Sequence, residues 1–204
     1  ATTGAISLGA TYSGGTASSF TSSADNVSIA TNGSLIGAGS KTLSAATAAT
    51  GTVTLNGAVT GPTVILTAGA GGIGQDAAGI ITAPTSLTVN LASGGAAVLT
   101  AAANNVGTLI GTGSGTISLN NSTNNLALGT FGATQNVNVT AAGAISTTAV
   151  ASFGSLIANG SSFTQSAGHN YTITNGTTVA TTGAISLGAT YSGGTASSFT
   201  SSAD

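Results

Sequence analysis

Residues 1–25 of this 204-residue chain, ATTGAISLGATYSGGTASSFTSSAD, recur without a change as residues 180–204. Identity at every position of so long a stretch marks a tandem repeat and not a coincidence. Any fold for this sequence has to be one that can be continued, because whatever residues 1–25 pack against, their copy needs a place one period later. The chain is accordingly divided into one period, residues 1–179, and the start of an identical second one, residues 180–204, and is expected to be a window on a longer tandem array.

Within the period, helix is disfavoured along the whole length. Gly occupies 32 positions, and Ser, Thr and Asn compete for the local backbone. What recurs is a short alternation of apolar and hydroxyl-bearing residues bounded by Gly or Asn: AISL at 5–8, VSIA at 27–30, TVTL at 52–55, TVILT at 63–67, SLTVNL at 86–91, AAVLT at 96–100, TISL at 116–119, LALGTF at 126–131, NVNVT at 136–140 and YTIT at 171–174. Strands of this length with turn signals between them predict an all-β sandwich, barrel or solenoid. Four Asn-Gly pairs, Asn32-Gly33, Asn56-Gly57, Asn159-Gly160 and Asn175-Gly176, are expected to be tight turns that tolerate positive φ.

Composition chooses among the three. A sandwich wants long strands, large core aromatics and a charged exterior, whereas here Trp is absent and Tyr and Phe number 3 and 5. A parallel β-helix wants a narrow core of stacked Val, Ile, Leu and Ala, corners of Gly and Asn, and small polar side chains in ladders outside. The prediction is therefore an all-β parallel β-helix (β-solenoid) of short strands. One coil should take roughly 20–30 residues, which gives about six to nine coils and an axial advance on the order of 30–45 Å per period.

The charge count excludes several functions. Asp25, Lys41, Asp76 and Asp204 are the only formally charged residues, and Asp204 is the copy of Asp25. One Lys cannot supply the basic stripe that nucleic acid requires. No run approaches the ~18 apolar residues of a membrane helix, so membrane insertion of this segment is not expected. With no Cys, disulfides and thiolate metal sites are excluded.

Residues 63–131, TVILTAGAGGIGQDAAGIITAPTSLTVNLASGGAAVLTAAANNVGTLIGTGSGTISLNNSTNNLALGTF, resemble the repetitive shafts of filamentous-haemagglutinin-like bacterial surface proteins. The resemblance covers about a third of the chain. It implies a long right-handed parallel β-helix, exported across the outer membrane and used for adhesion or extracellular assembly.

Several motifs invite a chemical interpretation. Gly69-Ala70-Gly71-Gly72-Ile73-Gly74 follows a strand and matches GxGxxG, but Gly79 and Pro84 break the helix that would hold a pyrophosphate and no acid stands near Asn90 for a ribose. No cofactor is expected. Gly71-Gly72-Ile73-Gly74-Gln75-Asp76 spells the opening of a calcium β-roll once, where calcium needs consecutive copies, so Asp76 is the one weak metal candidate. His169, the only histidine, lies between Gly168 and Asn170 and is expected in an exposed turn. A hydrolytic triad or a glycosidase pair needs more acids than Asp25 and Asp76, so the chain is not expected to be an enzyme. Thr52-Val53-Thr54 and Thr172-Ile173-Thr174 recur too rarely for a Thr-x-Thr ice-binding face and are assigned to β propensity. Tyr12 and Phe20, with their copies Tyr191 and Phe199, are expected as local plugs or inter-fibre contacts. The sequons at 121–123 and at Asn170-Tyr171-Thr172 follow from composition and matter only in a glycosylating host.

Two functions fit these features. In the first, the chain is a structural repeat of a long extracellular or cell-surface fibre, bacterial by its resemblance, whose partner is itself: adjacent repeats end to end, with lateral packing of near-neutral shafts. In the second, it is the stalk or binding region of a secreted adhesin that recognises a host receptor, surface or glycan.

Overall fold

A computed structural model describes residues 1–203 with the exception of Ala49, Ser93 and Thr123. The duplicate charge at Asp204 and the third position of the sequon at 121–123 lie outside the described residues.

Among the described residues there is no helix, and every strand pairing is parallel. The chain winds into a β-solenoid of about nine turns, as the alternation and composition predict. Two long sheets run along it. A ten-stranded sheet begins at Ile6–Leu8 and ends at Ala196–Ser201, and a nine-stranded sheet begins at Ser18–Thr21 and ends at Ile185–Leu187. Turns are not of one length: a short one runs from Ile145 to its partner Phe163, and a long one from Val27 to Val53.

Stacking of like on like builds the core. Inward positions in the ten-stranded sheet line up as Val27, Val53, Ile73, Ala97, Ile117, Val137 and Leu156, and those of the nine-stranded sheet as Val64, Leu87, Leu109 and Leu128. All are essentially inaccessible to solvent. Most of their outward neighbours are small or polar, with Ile65, Val98, Ile110 and Ile157 as the exceptions, which makes alternation the legible signal.

The third side of the coil changes place partway along. In the early turns a five-stranded sheet, from Thr11–Ser13 to Asn105–Val106, lies in chain order between the ten- and nine-stranded sheets. In the late turns a three-stranded sheet, Ala151–Phe153, Tyr171–Ile173 and Tyr191–Ser192, instead follows the nine-stranded one. The switch is made by Asn121. This fully buried side chain accepts from the Val106 N–H at 2.7 Å and donates to the Val106 carbonyl at 3.1 Å, while also donating to Asn125 O at 3.0 Å. It thus supplies to the last strand of the five-stranded sheet the bonds a further strand would have made. The new corner is filled by aromatics stacked at the coil spacing: Phe131 on Phe153 at 4.8 Å and Phe153 on Tyr171 at 4.9 Å.

The duplicated segment shows what its sequence does and does not encode. Ile6–Leu8, Thr11–Ser13 and Ser18–Thr21 lie on the ten-, five- and nine-stranded sheets, whereas the same words at Ile185–Leu187, Tyr191–Ser192 and Ala196–Ser201 lie on the nine-, three- and ten-stranded sheets. Local geometry is kept, since Tyr12–Phe20 and Tyr191–Phe199 both pack edge-on at 5.2 Å and 87°. The face is not kept, because the second copy does not begin a whole number of coils after the first.

The Asn-Gly expectation holds in part: Thr31 and Asn32 form a turn closed by the Gly33 N–H on Ala30 O at 2.8 Å, but positive φ is not what the pairs supply. None of Gly33, Gly57, Gly160 and Gly176 is among the positive-φ glycines, and Asn159-Gly160 lies inside the strand Ser155–Gly160. The hairpin rule applies where a chain reverses, and a parallel coil only bends. At two of the four, glycine is needed for close approach: a Cβ on Gly33 would stand 1.9 Å from Leu8 O, and one on Gly57 would stand 2.0 Å from Gly33 O.

Gly57→Ala should therefore lower stability by about 1–3 kcal/mol through overpacking, while Gly74→Ala, where a Cβ meets nothing within 4 Å, should leave it unchanged or raise it by about 0.5 kcal/mol. Urea unfolding followed by circular dichroism separates the two, and equal effects would contradict the corner assignment. By the same measurement Asn121→Leu should cost about 2–4 kcal/mol, because it strands both backbone groups of Val106 in the interior.

Candidate functional surfaces

The residues with chemical potential are scattered, and the coil explains each position. Asp76 ends the strand Gly72–Gln75, and its Oδ1 accepts from Ala78 N at 2.8 Å and Gly79 N at 3.0 Å, which makes it an Asx turn at a corner. No group of three or more His, Cys, Asp or Glu able to hold a metal occurs among the described residues. The GxGxxG segment forms a turn, closed by the Gly72 N–H on Gly69 O at 3.1 Å, that runs directly into that strand, so no helix N-terminus faces its glycines. Beside it lies a closed amide pair: Gln75 Nε2 donates to Asn104 Oδ1 at 2.7 Å and Asn104 Nδ2 donates to Gln75 Oε1 at 3.1 Å. These side chains plug the corner between the ten- and five-stranded sheets.

His169 follows the positive-φ Gly168 in a turn whose residues Ala167, Gly168 and Asn170 are exposed, as expected, while His169 itself is half-buried. Its Nδ1 lies 3.0 Å from both the hydroxyl and the carbonyl oxygen of Thr147 on the coil before. Lys41, in register between Ser18 and Val64 on the adjoining strands, points into the core and is completely buried. Its Nζ donates to Gly14 O and Thr16 O, both at 3.4 Å, so it fastens the first coil's corner between the five- and nine-stranded sheets to the second coil. The structure brings none of Asp25, Lys41, Asp76 and His169 together by a hydrogen bond.

Of the predicted plugs, Phe20, Tyr191 and Phe199 are partly buried against the core, while Tyr12 is 45% exposed. Sequence reasoning missed the more deeply buried aromatics Phe131, Phe153 and Tyr171, which look isolated in sequence and become a column only when successive coils are superposed. Burial raises the Tyr171 phenol above the ordinary range, and its hydroxyl has no hydrogen-bond partner.

The outer surfaces are more ordered than the scattered candidates. Thr52 and Thr172 lie on different sheets, so the two Thr-x-Thr pairs do not align. Aligned rows exist elsewhere, on the outside of the nine-stranded sheet. One reads Ser19, Thr42, Ile65, Thr88 and Ile110, and the next reads Thr21, Ser44, Thr67, Asn90 and Thr112. In the second row Asn90 Nδ2 donates to Thr67 Oγ1 at 3.0 Å and Thr112 Oγ1 donates to Asn90 Oδ1 at 2.6 Å. The signal that could have found them is the nearly constant step from Thr42 to Ile65, to Thr88 and to Ile110. A shallow groove of about 470 Å³ crosses later coils, with Thr140, Asn159, Ser161, Thr181 and Thr200 among its lining.

Tyr171 makes stability sensitive to alkali. An unfolded tyrosine ionises at about pH 10.0 and the folded one only above it, so the folded state holds the extra proton from there upward. Stability should fall by about 1.4 kcal/mol per pH unit above pH 10. Tyr171→Phe should abolish this component, as pH-jump unfolding monitored by circular dichroism would show.

No family model, no curated protein and no solved structure matches this chain.

Proposed function

We propose that the chain is a structural repeat of a long β-solenoid fibre, extracellular or at a bacterial cell surface, in which each period is continued by the next. The observation that supports this most directly is the second copy of residues 1–25, which already sits on the preceding coil through Phe163↔Ile185, Tyr171↔Tyr191 and Val179↔Phe199. In the first copy the same words pair onward with residues 27–44, through Ile6↔Val27, Tyr12↔Leu35 and Phe20↔Leu43. One word therefore has a seat on each side of it, which is what an interior segment of an array requires. The cell-surface location rests on the resemblance of residues 63–131. The adhesin alternative draws no specific support from the groove, whose lining carries neither an aromatic nor a charged residue for sugar recognition.

The function of the coil is mechanical: each turn offers the next a complete row of backbone donors and acceptors and a dry apolar column. A chain of several consecutive periods should appear in electron micrographs as an unbranched thin filament. Its length should grow by about 40 Å per period, from just over eight coils at ~4.8 Å each. Separate compact particles, one per period, would overturn the proposal.

A further inference from the structure

Resting on the fibre reading, we propose that the outer face of the nine-stranded sheet over its first five strands is a lateral docking surface, and that its occupant is the same face of a second copy of this chain. The face spans the strands Ser18–Thr21, Lys41–Ser44, Thr63–Ala68, Ser86–Leu91 and Thr108–Gly113. Its outward residues are hydroxyl-bearing, amide or β-branched aliphatic, with Ile65 and Ile110 in the central row on either side of Thr88. The single charge on these strands, Lys41, is turned inward and completely buried.

Charge, spacing and order together identify the occupant. An uncharged face has no long-range repulsion to overcome against its own copy, and the whole chain carries a net charge of only −2. Spacing narrows the choice further. Side chains in each row repeat at the coil rise of ~4.8 Å, and only a partner with that rise stays in register from coil to coil. A second copy has it by construction, while a partner of another period drifts out of register within a few coils. Order acts in the same direction. The hydrogen bonds of Asn90 to Thr67 and Thr112 hold the row flat and pre-set its rotamers, which lowers the entropy lost on contact. The ten-stranded sheet lacks this regularity, since Gly72 and Gly74 leave a gap next to the exposed Val98.

Area sets how the surface works. Five strands at ~4.8 Å and about five residues at ~3.3 Å enclose roughly 400 Å² per partner, which is half the usual extent of a stable interface. One period should associate weakly and an array strongly, because each added period adds a contact within an already joined assembly. The copy of Ser18–Thr21 at Ala196–Ser201 lies on the ten-stranded sheet, so the next period carries its docking face to a different side of the shaft. An array can then hold neighbours on more than one side and form bundles, where a fixed face would give pairs.

The test is disulfide capture with single-cysteine variants of the full chain, which has no native Cys. Thr88→Cys reports on the docking face and Ser118→Cys on the outer face of the ten-stranded sheet. Thr88→Cys should give covalent dimer at least tenfold faster than Ser118→Cys, at a rate unchanged between low and high salt. Adding Ile65→Lys and Ile110→Lys to Thr88→Cys should remove that advantage, with circular dichroism showing the β-solenoid intact. Equal rates for the two cysteines, or an advantage that survives the lysines, would overturn the docking proposal. So would retention on an insoluble crystalline polysaccharide without dimer, which would assign the face to a foreign partner. The fibre reading is checked separately by micrographs of multi-period chains: single filaments without bundles leave it standing and remove only the lateral contact.

Discussion

Parallel coil-on-coil hydrogen bonding is the constraint from which the rest of this structure follows. Each strand satisfies its backbone groups with the strand one turn before and one turn after, as in Ile6↔Val27↔Val53↔Ile73. Position along a coil then fixes environment, because residues in register share a neighbour above, a neighbour below and a side of the sheet. An inward apolar residue must be followed by another at the same place, which produces columns such as Val64, Leu87, Leu109 and Leu128. At corners the same rise forces backbones together, and at Gly57 there is no room for a Cβ against Gly33 O.

Deviations from the column rule mark where the coil changes shape. Asn121, Gln135, Gln165 and Asn104 are buried amides at positions where the core alternatives would be aliphatic. Asn121 and Asn104 are bound to backbone groups at corners, Asn121 to Val106 and Asn104 to Ile81 N and Leu99 O. Such side chains stand in for strands that are missing or displaced, and so allow the third side of the triangle to be dropped after Val106 and rebuilt beside Phe131, Phe153 and Tyr171. A solenoid of identical coils would need none of them.

How much of this the sequence disclosed follows from what alternation can carry. TVTL at 52–55 and SLTVNL at 86–91 are strands with those bounds, because large apolar residues alternate there with hydroxyls. Gly72–Gln75, Ser155–Gly160 and Gly176–Thr181 were not legible, since Gly and Ala can occupy either side and leave no period to see. Asn159-Gly160 misled because a rule for reversing turns was applied to a chain that never reverses. The hydroxyl rows were hidden for a different reason. Their members, such as Thr67, Asn90 and Thr112, are adjacent only across a whole coil, a nearly constant step that is far longer than any local strand pattern. Nor could sequence say on which sheet a word would lie, as the two copies of residues 6–8 show by lying on different ones.

The scarcity of charge, which first served only to exclude functions, has a physical basis in the stacking itself. Where one coil places a side chain directly over its counterpart, a charge kept from coil to coil would set like charges ~4.8 Å apart along the shaft. Even at the dielectric constant of water each such neighbour pair costs about 0.9 kcal/mol, and the row would accumulate that cost at every turn. Hydroxyls and amides escape it because they both donate and accept, so a row can bond to itself, as Thr67, Asn90 and Thr112 do. The remaining acids obey the same logic. Asp25 and Asp76 stand at corner turns in different coils, each accepting backbone N–H groups locally, and neither is stacked on another carboxylate among the described residues. The scarcity of charge thus follows from regular stacking, and the uncharged face it leaves is one that a second shaft can approach without electrostatic cost.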